Sequence, residues 1–350
     1  MDASAPVSII LLVLATAVGL AVRHALGSRN AVARTAGEKT ATAVGIEPAG
    51  VRPATPARAE RQAPASPAAS PRQRLGAARH WAYWLQNLNV RKAAATPYDL
   101  LVVDYSRDGT DAKALRPAEV EALQRKSDGS RRLVGCYLSI GEAEDYRTYW
   151  QESWHGRDKP SWLRGENKDR AGNYIVDFWD EAWQSLLMGT PEAYLDRILA
   201  QGFDAIYLDR VDVYRELRRQ RPTAERDMIE FVRTLSAYAR RKNPAIAIIM
   251  QNAEELLEHK ELRDAIDAIA KEDLLYGISH DGKANSKQEV EDSIECLKLA
   301  KRAGIPVFVV EYLEDPATQQ SAARQLGELG YIVSFAPRDL GSLYDATIAA

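Results

Sequence analysis

From His80 onward the chain repeats one pattern, in which a short run of apolar, β-branched and aromatic residues is followed by a longer stretch with helical spacing. The runs are HWAYWL (80–85), DLLVVDYS (99–106), RLVGCYLSIG (132–141), FDAIYLD (203–209), AIAIIMQN (245–252), IDAIAKED (266–273), IPVFVVEYL (305–313) and GYIVSFAP (330–337). Runs that are apolar throughout, rather than alternating, suit strands buried on both faces, as in a parallel sheet covered by helices. Helical stretches lie between them at 117–125, 191–201, 224–242 and 286–303; several open at Pro or Ser and run into Gly before the next strand. Eight such units over about 270 residues predict an α/β fold, the (β/α)8 TIM barrel. A doubly wound open sheet is the alternative, but there is neither a GxGxxG after the first strand nor a P-loop.

One stretch interrupts the alternation. Between the third and fourth runs, about 60 residues hold Trp150, Trp154, Trp162, Trp179 and Trp183, five of the seven tryptophans of the chain. Long connections in barrels carry function, and indole faces stack on the apolar faces of sugar rings. The competing reading is that these rings cap a local core.

The segment before residue 80 has a different character. Residues 7–22 form an unbroken run of apolar or small residues followed by Arg23, His24 and Arg29. Its 16 residues are short for a membrane span, which needs ~20, and no Lys or Arg precedes it. Residues 1–27 are therefore expected to be a signal peptide or membrane anchor, which places the protein outside the cytoplasm, secreted, periplasmic or held at a membrane. A cytoplasmic domain behind a hydrophobic anchor is the alternative. Residues 28–79 are rich in Ala, Pro and Arg and almost lack large apolar residues, which predicts a disordered, semi-rigid linker. The folded domain is then 80–350.

Charge divides at the same place. Residues 1–79 carry ten Lys/Arg and four Asp/Glu, whereas the remainder carries 36 and 45. An acidic folded part argues against nucleic acid as a partner and suits a neutral or cationic ligand. The two cysteines, Cys136 and Cys296, are too few for a disulfide framework and read as buried thiols. The five histidines form no HxH or HExxH pair, there is no GxSxG elbow, and nothing in the pattern calls for a metal ion or a cofactor.

Carboxylates and amides gather where barrel active sites are built, at the C-terminal ends of the strands. The second run ends in Asp104 and Tyr105, and Glu142 follows the third; the insertion offers Asp177 and Trp179. The fourth run ends in Asp209 with Asp212 beyond it, the fifth in Gln251 and Asn252, the sixth in Glu272, and the seventh in Glu311 and Tyr312. An acid that ends a buried strand is costly to desolvate unless it serves a site. Two carboxyls across an aromatic-rich cleft describe glycoside hydrolysis, in which one ionised group attacks or steers water and one protonated group releases the leaving oxygen. Asp209 and Glu272 end alternate strands, which point into one layer of a barrel, whereas Lys271 and Asp273 are expected to point away. Asp104, Glu142, Asp177 and Asp212 are expected to hydrogen-bond substrate, and Gln251 and Asn252 to read an amino or acetamido group. Tyr312 and Trp179 are stacking candidates, and Glu311 is a ligand contact or a member of the carboxylate network.

The segments GFDAIYLDRVDVY, CYLSIGEAEDYR, NYIVDFWDEAW, QNAEELL and AKEDLLYG together resemble the endo-α-1,4-polygalactosaminidase family, glycoside hydrolase family 114, over most of 80–350. The resemblance implies a (β/α)8 barrel that cleaves α-1,4-linked galactosamine or N-acetylgalactosamine polymers, such as microbial exopolysaccharides, with retention of configuration. It makes Asp209 the nucleophile and Glu272 the general acid/base. The chain departs from the pattern at Arg210, where a small or amide residue is expected. Two non-catalytic readings stand beside the enzyme: an amino-sugar-binding barrel tethered at the cell envelope, and an interaction protein that docks through the tryptophan-rich insertion.

Overall fold

The computed structural model describes residues 69–344 of the 350-residue chain. Eight parallel strands form one sheet in sequence order: Trp81–Trp84, Leu100–Val103, Leu133–Ser139, Ala205–Asp209, Ala247–Gln251, Ala268–Glu272, Val307–Glu311 and Ile332–Phe335. They are called the first to eighth strands below. All eight coincide with the runs read from the sequence, and the fold is the expected (β/α)8 barrel with its insertion between the third and fourth strands. The seam between the first and eighth strands is closed by a side chain. The Trp81 indole N–H, pointing inward, donates to the carbonyls of Ile332 (3.0 Å) and Val309 (3.3 Å).

Strand alternation sorts the side chains into two cores. Inside the barrel, the rings of Trp81, Tyr83, Tyr207 and Phe308 face the small Ala205, Ala247, Ala268 and Ala270. Rings against alanines fill a narrow barrel without voids; Tyr83 and Tyr207 lie 5.0 Å apart, Trp81 and Phe308 5.5 Å. The other side of each strand packs under the helices, of which Ala224–Lys242 and Lys287–Arg302 are the longest.

The barrel domain begins ahead of residue 80, inside the segment expected to be linker. Residues 1–68, with the apolar run 7–22 and most of the linker, lie outside the described residues, but from Ser70 the chain belongs to the barrel. Ser70 and Gln73 form a capping box that starts the helix Pro71–Gly76, and Leu75, fully buried, closes the barrel's interior from below. Arg72 donates to the carbonyls of Arg263 (2.9 Å) and Ile266 (2.7 Å), and Arg74 pairs with Asp204 at 3.0 Å. These partners lie just ahead of the sixth and fourth strands, so the helix caps the N-terminal end of the barrel. One leucine and two arginines inside an Ala/Pro-rich composition were enough to anchor it, a signal that composition averages away. Among the described residues no helix is long and apolar enough to cross a membrane.

The same end carries acids with a structural task. Asp99, Asp204 and Asp267 precede the second, fourth and sixth strands, and each accepts backbone N–H groups at the start of the strand before: His80 (3.1 Å), Val134 (3.1 Å) and Ile248 (2.9 Å). Each also holds a base, namely Lys126, Arg131 with Arg74, and Arg240. Satisfied in this way, they pin neighbouring strands in register.

Leu75→Ala removes the apolar plug and is expected to lower stability by about 2–4 kcal/mol, read as a lower urea midpoint. An unchanged midpoint would place the helix outside the cooperative unit.

Candidate active site

At the opposite end, three successive strands finish in the same way. Asp209, Gln251 and Glu272 end the fourth, fifth and sixth strands on the inward register, and the next residue, Arg210 (φ 58°), Asn252 (φ 55°) or Asp273 (φ 53°), is left-handed. Non-glycine residues in that region cost roughly 1 kcal/mol or more each. The strain turns the chain sharply outward and leaves each functional side chain over the barrel's mouth. Gly141 makes room for the first corner, because a Cβ there would collide with the Arg210 carbonyl and Val213.

Asp209 accepts from the Tyr137 hydroxyl (2.8 Å) on Oδ2 and from the Arg210 backbone N–H (2.7 Å) on Oδ1. Burial pushes its carboxyl up from the usual range and the charge of Glu272 pushes it further; the Arg210 guanidinium and the Tyr137 hydrogen bond oppose them. Glu272 accepts from the Gln251 amide and the Tyr312 hydroxyl, and from Asn252 Nδ2 at 3.4 Å; its own backbone N–H donates to Asn252 Oδ1 at 3.1 Å. Behind Gln251, the Tyr83 hydroxyl donates to Oε1 at 3.3 Å, which turns the amide NH2 toward Glu272. Asp209, Gln251, Asn252, Glu272 and Tyr312 thus converge as the sequence suggests.

Tyr312 is there as a hydrogen-bond donor. One side of its ring is taken by the guanidinium of Arg338, 4.1 Å from the ring centre, and Arg338 is held by both oxygens of Asp273 (2.7 and 3.0 Å) and by Asp281 (2.8 Å). Asp273, expected only to face away, therefore braces the site. Burial raises its carboxyl to about 6 against the pull of Arg338. Lys271 does point away, to Glu254 at 3.3 Å.

Glu311 and Tyr105 are corrected by position, and the other expected contacts are held by neighbouring side chains. Glu311 and Tyr105 sit on the outward register. Glu311 is fully buried and accepts the N–H groups of Leu275 (2.7 Å) and Tyr276 (3.3 Å), and burial raises it to about 8; it braces the loop after Glu272 instead of touching ligand. Tyr105 packs on Tyr194 and donates to Asp111 at 2.6 Å. Glu142 is fully buried between Arg210 Nε (2.8 Å) and the amides of Asn167 (2.7 Å) and Asn173 (3.3 Å), so it ties the insertion to the nucleophile loop. Asp104 is clamped by both terminal nitrogens of Arg147, at 2.8 and 2.7 Å. Asp177 is bound by Arg164, and Asp212 pairs with Arg210 at 3.5 Å. Trp179 has the guanidinium groups of Arg164 and Arg221 5.8 and 5.1 Å from its ring.

The insertion carries a three-stranded antiparallel sheet, in the order Glu142–Glu144, Asn173–Val176, Leu163–Glu166. Its tryptophans mostly form its core. Trp154, Trp162 and Trp183 are buried, and the chain Trp150–Trp154–Trp162–Trp183 runs ring to ring at 5.2, 5.2 and 5.3 Å. Cys136 is buried in the third strand, whereas Cys296 is only half-buried. No group of three or more His, Cys, Asp or Glu side chains among the described residues is arranged to hold a metal ion. Sequence reasoning missed Tyr83 and Tyr137, although they share the inward parity of the strand-end acids, and Arg147 and Arg338, which no local pattern marks.

The family model of glycoside hydrolase family GH114 matches residues 57–348. The chain belongs to this family. It is a glycoside hydrolase. The family member is 36% identical over 274 residues to an uncharacterised protein of Deinococcus radiodurans, covering 77% of this chain and 83% of that one. A second uncharacterised relative, from Methanocaldococcus jannaschii, is 37% identical over 243 residues, with 67% and 66% covered. The fold is shared with the glycoside hydrolase domain of PelA from Pseudomonas aeruginosa (TM-score 0.59, 18% identity, 76% of this chain and 97% of that one). It is shared as well with Aspergillus fumigatus Ega3, solved in complex with galactosamine (TM-score 0.56, 19% identity, 76% and 94%).

A raised Asp209 has a measurable cost in this glycosidase. Between the ordinary carboxyl value and the raised one the native state binds more protons than the unfolded chain, so stability falls as pH climbs through that window. Asp209→Asn is therefore expected to gain ~2–4 °C in melting temperature relative to wild type at pH 8 over its value at pH 4.5. Equal differences at the two pH values would mean that Asp209 titrates normally.

Proposed function

We propose that this glycosidase cleaves α-1,4-linked galactosamine or N-acetylgalactosamine polymers with retention, Asp209 attacking the anomeric carbon and Glu272 acting as acid, then base. The observation that carries the reading is the pair itself: two carboxyls that end the fourth and sixth strands on the inward register, each held by hydroxyl, amide or peptide donors. Retention needs carboxyls about 5 Å apart, and inversion roughly 6.5–9.5 Å. In the first step Glu272 gives its proton to the leaving oxygen as Asp209 forms the glycosyl ester. In the second, Glu272 takes a proton from water, which attacks the same carbon and frees Asp209.

The amides of Gln251 and Asn252 flank Glu272 and suit the 2-amino or 2-acetamido substituent. The galactosamine bound to Ega3 supports the same sugar. The apolar run 7–22 supports an exported or membrane-held enzyme, which would meet such a polymer outside the cell.

The full chain should release reducing ends from partly deacetylated α-1,4-galactosamine polymer, with the first product keeping the α configuration by NMR. Asp209→Asn and Glu272→Gln should each lower the rate by about 10³-fold or more. Binding without turnover by wild type would favour a non-catalytic sugar-binding barrel. Because Arg210 opposes the rise of Asp209, Arg210→Met should shift the acid limb of kcat/KM to higher pH; an unmoved limb would remove Arg210 from the electrostatics of the nucleophile.

A further inference from the structure

Among the described residues, one large apolar side chain is left substantially exposed: Tyr146, at 39%. A lone exposed ring is ordinary, but this one is fixed from several sides. Its hydroxyl donates to the buried Glu144 at 2.6 Å. The Arg147 guanidinium lies 4.9 Å from the ring centre, itself clamped by Asp104 and by Glu144 (Nε to Oε2, 2.6 Å). The ring edge rests on Gly109 (φ +84°), where any Cβ would collide with Tyr146 Cδ2. The ring is therefore ordered before any ligand arrives, and ordering costs are a main penalty in binding.

Its place is equally specific. Arg147 also lies 5.8 Å from the ring centre of Tyr137, whose hydroxyl holds Asp209. Tyr146 and Tyr137, the residue that holds Asp209, thus flank one guanidinium, with Tyr146 and Gly109 on the loops after the third and second strands, at the mouth of the barrel.

We propose that Tyr146 is the stacking platform of a sugar subsite adjacent to the cleavage point, receiving the apolar face of one pyranose of the polymer. A galacto-configured ring suits it, because the axial O4 leaves the C3, C4 and C5 hydrogens together on one face. Asp104 and Glu144 neutralise Arg147 beneath the ring, so the platform does not repel an unacetylated ammonium group. The inference rests on the reading that Asp209 and Glu272 cut a sugar polymer.

Kinetics on α-1,4-galactosamine oligomers test it with the full chain. Tyr146→Ala should raise KM roughly 10-fold or more with kcat within about twofold, and Tyr146→Trp should bring KM back to within about threefold of wild type. An unchanged KM in the alanine variant, or a tryptophan variant as impaired as alanine with a lowered melting temperature, would overturn the platform in favour of a scaffold role. If wild type does not turn over these oligomers, the substrate reading fails separately. The platform is then judged on an array of neutral and amino-sugar polysaccharides. Binding by wild type that is lost in Tyr146→Ala supports it; equal binding, or none by wild type, overturns it.

Discussion

Two carboxyl groups brought into one water-poor cleft repel each other and lose hydration, and much of the barrel's mouth is built to make that arrangement persist. Desolvation and the neighbouring charge both push Asp209 toward its neutral form. Against them stand the Tyr137 hydroxyl and the Arg210 peptide on one carboxyl, and Gln251, Asn252 and Tyr312 on the other. A second ring of fixed groups holds those donors: Tyr83 orients Gln251, Arg338 backs Tyr312, and Arg147 lies beside Tyr137.

The acids at the base of the barrel and the two strand-end carboxyls at its mouth are held by different partners. At the base, Asp99, Asp204 and Asp267 each meet a backbone N–H and a basic side chain, and they hold strands in register. At the mouth, Asp209 and Glu272 accept hydrogen bonds from hydroxyls, amides and a peptide N–H, with the charge of Arg210 acting on Asp209 as well. The left-handed corners at Arg210, Asn252 and Asp273 add strain on the same side.

The eight strands were legible because a parallel barrel buries both faces of each strand, so every run is apolar from end to end. The convergence of Asp209 and Glu272 was legible because they end two such runs. Period two would have separated more: Phe308 and Val310 face inward, which sends Tyr312 into the site and Glu311 out of it, and the same parity picks out Tyr83 and Tyr137. The Trp-rich insertion misled, since rings that can stack on sugar can equally stack on one another. Arg338 and the helix Pro71–Gly76 had no local signature, because what fixes them is a partner many residues away.

The helix beneath the barrel also gives the molecule a direction. Residues 71–76 close the pole opposite the carboxyls, with Leu75 as a stopper and Arg72 and Arg74 as stays. The described chain therefore enters the barrel at its base, the pole farthest from the strand-end carboxyls.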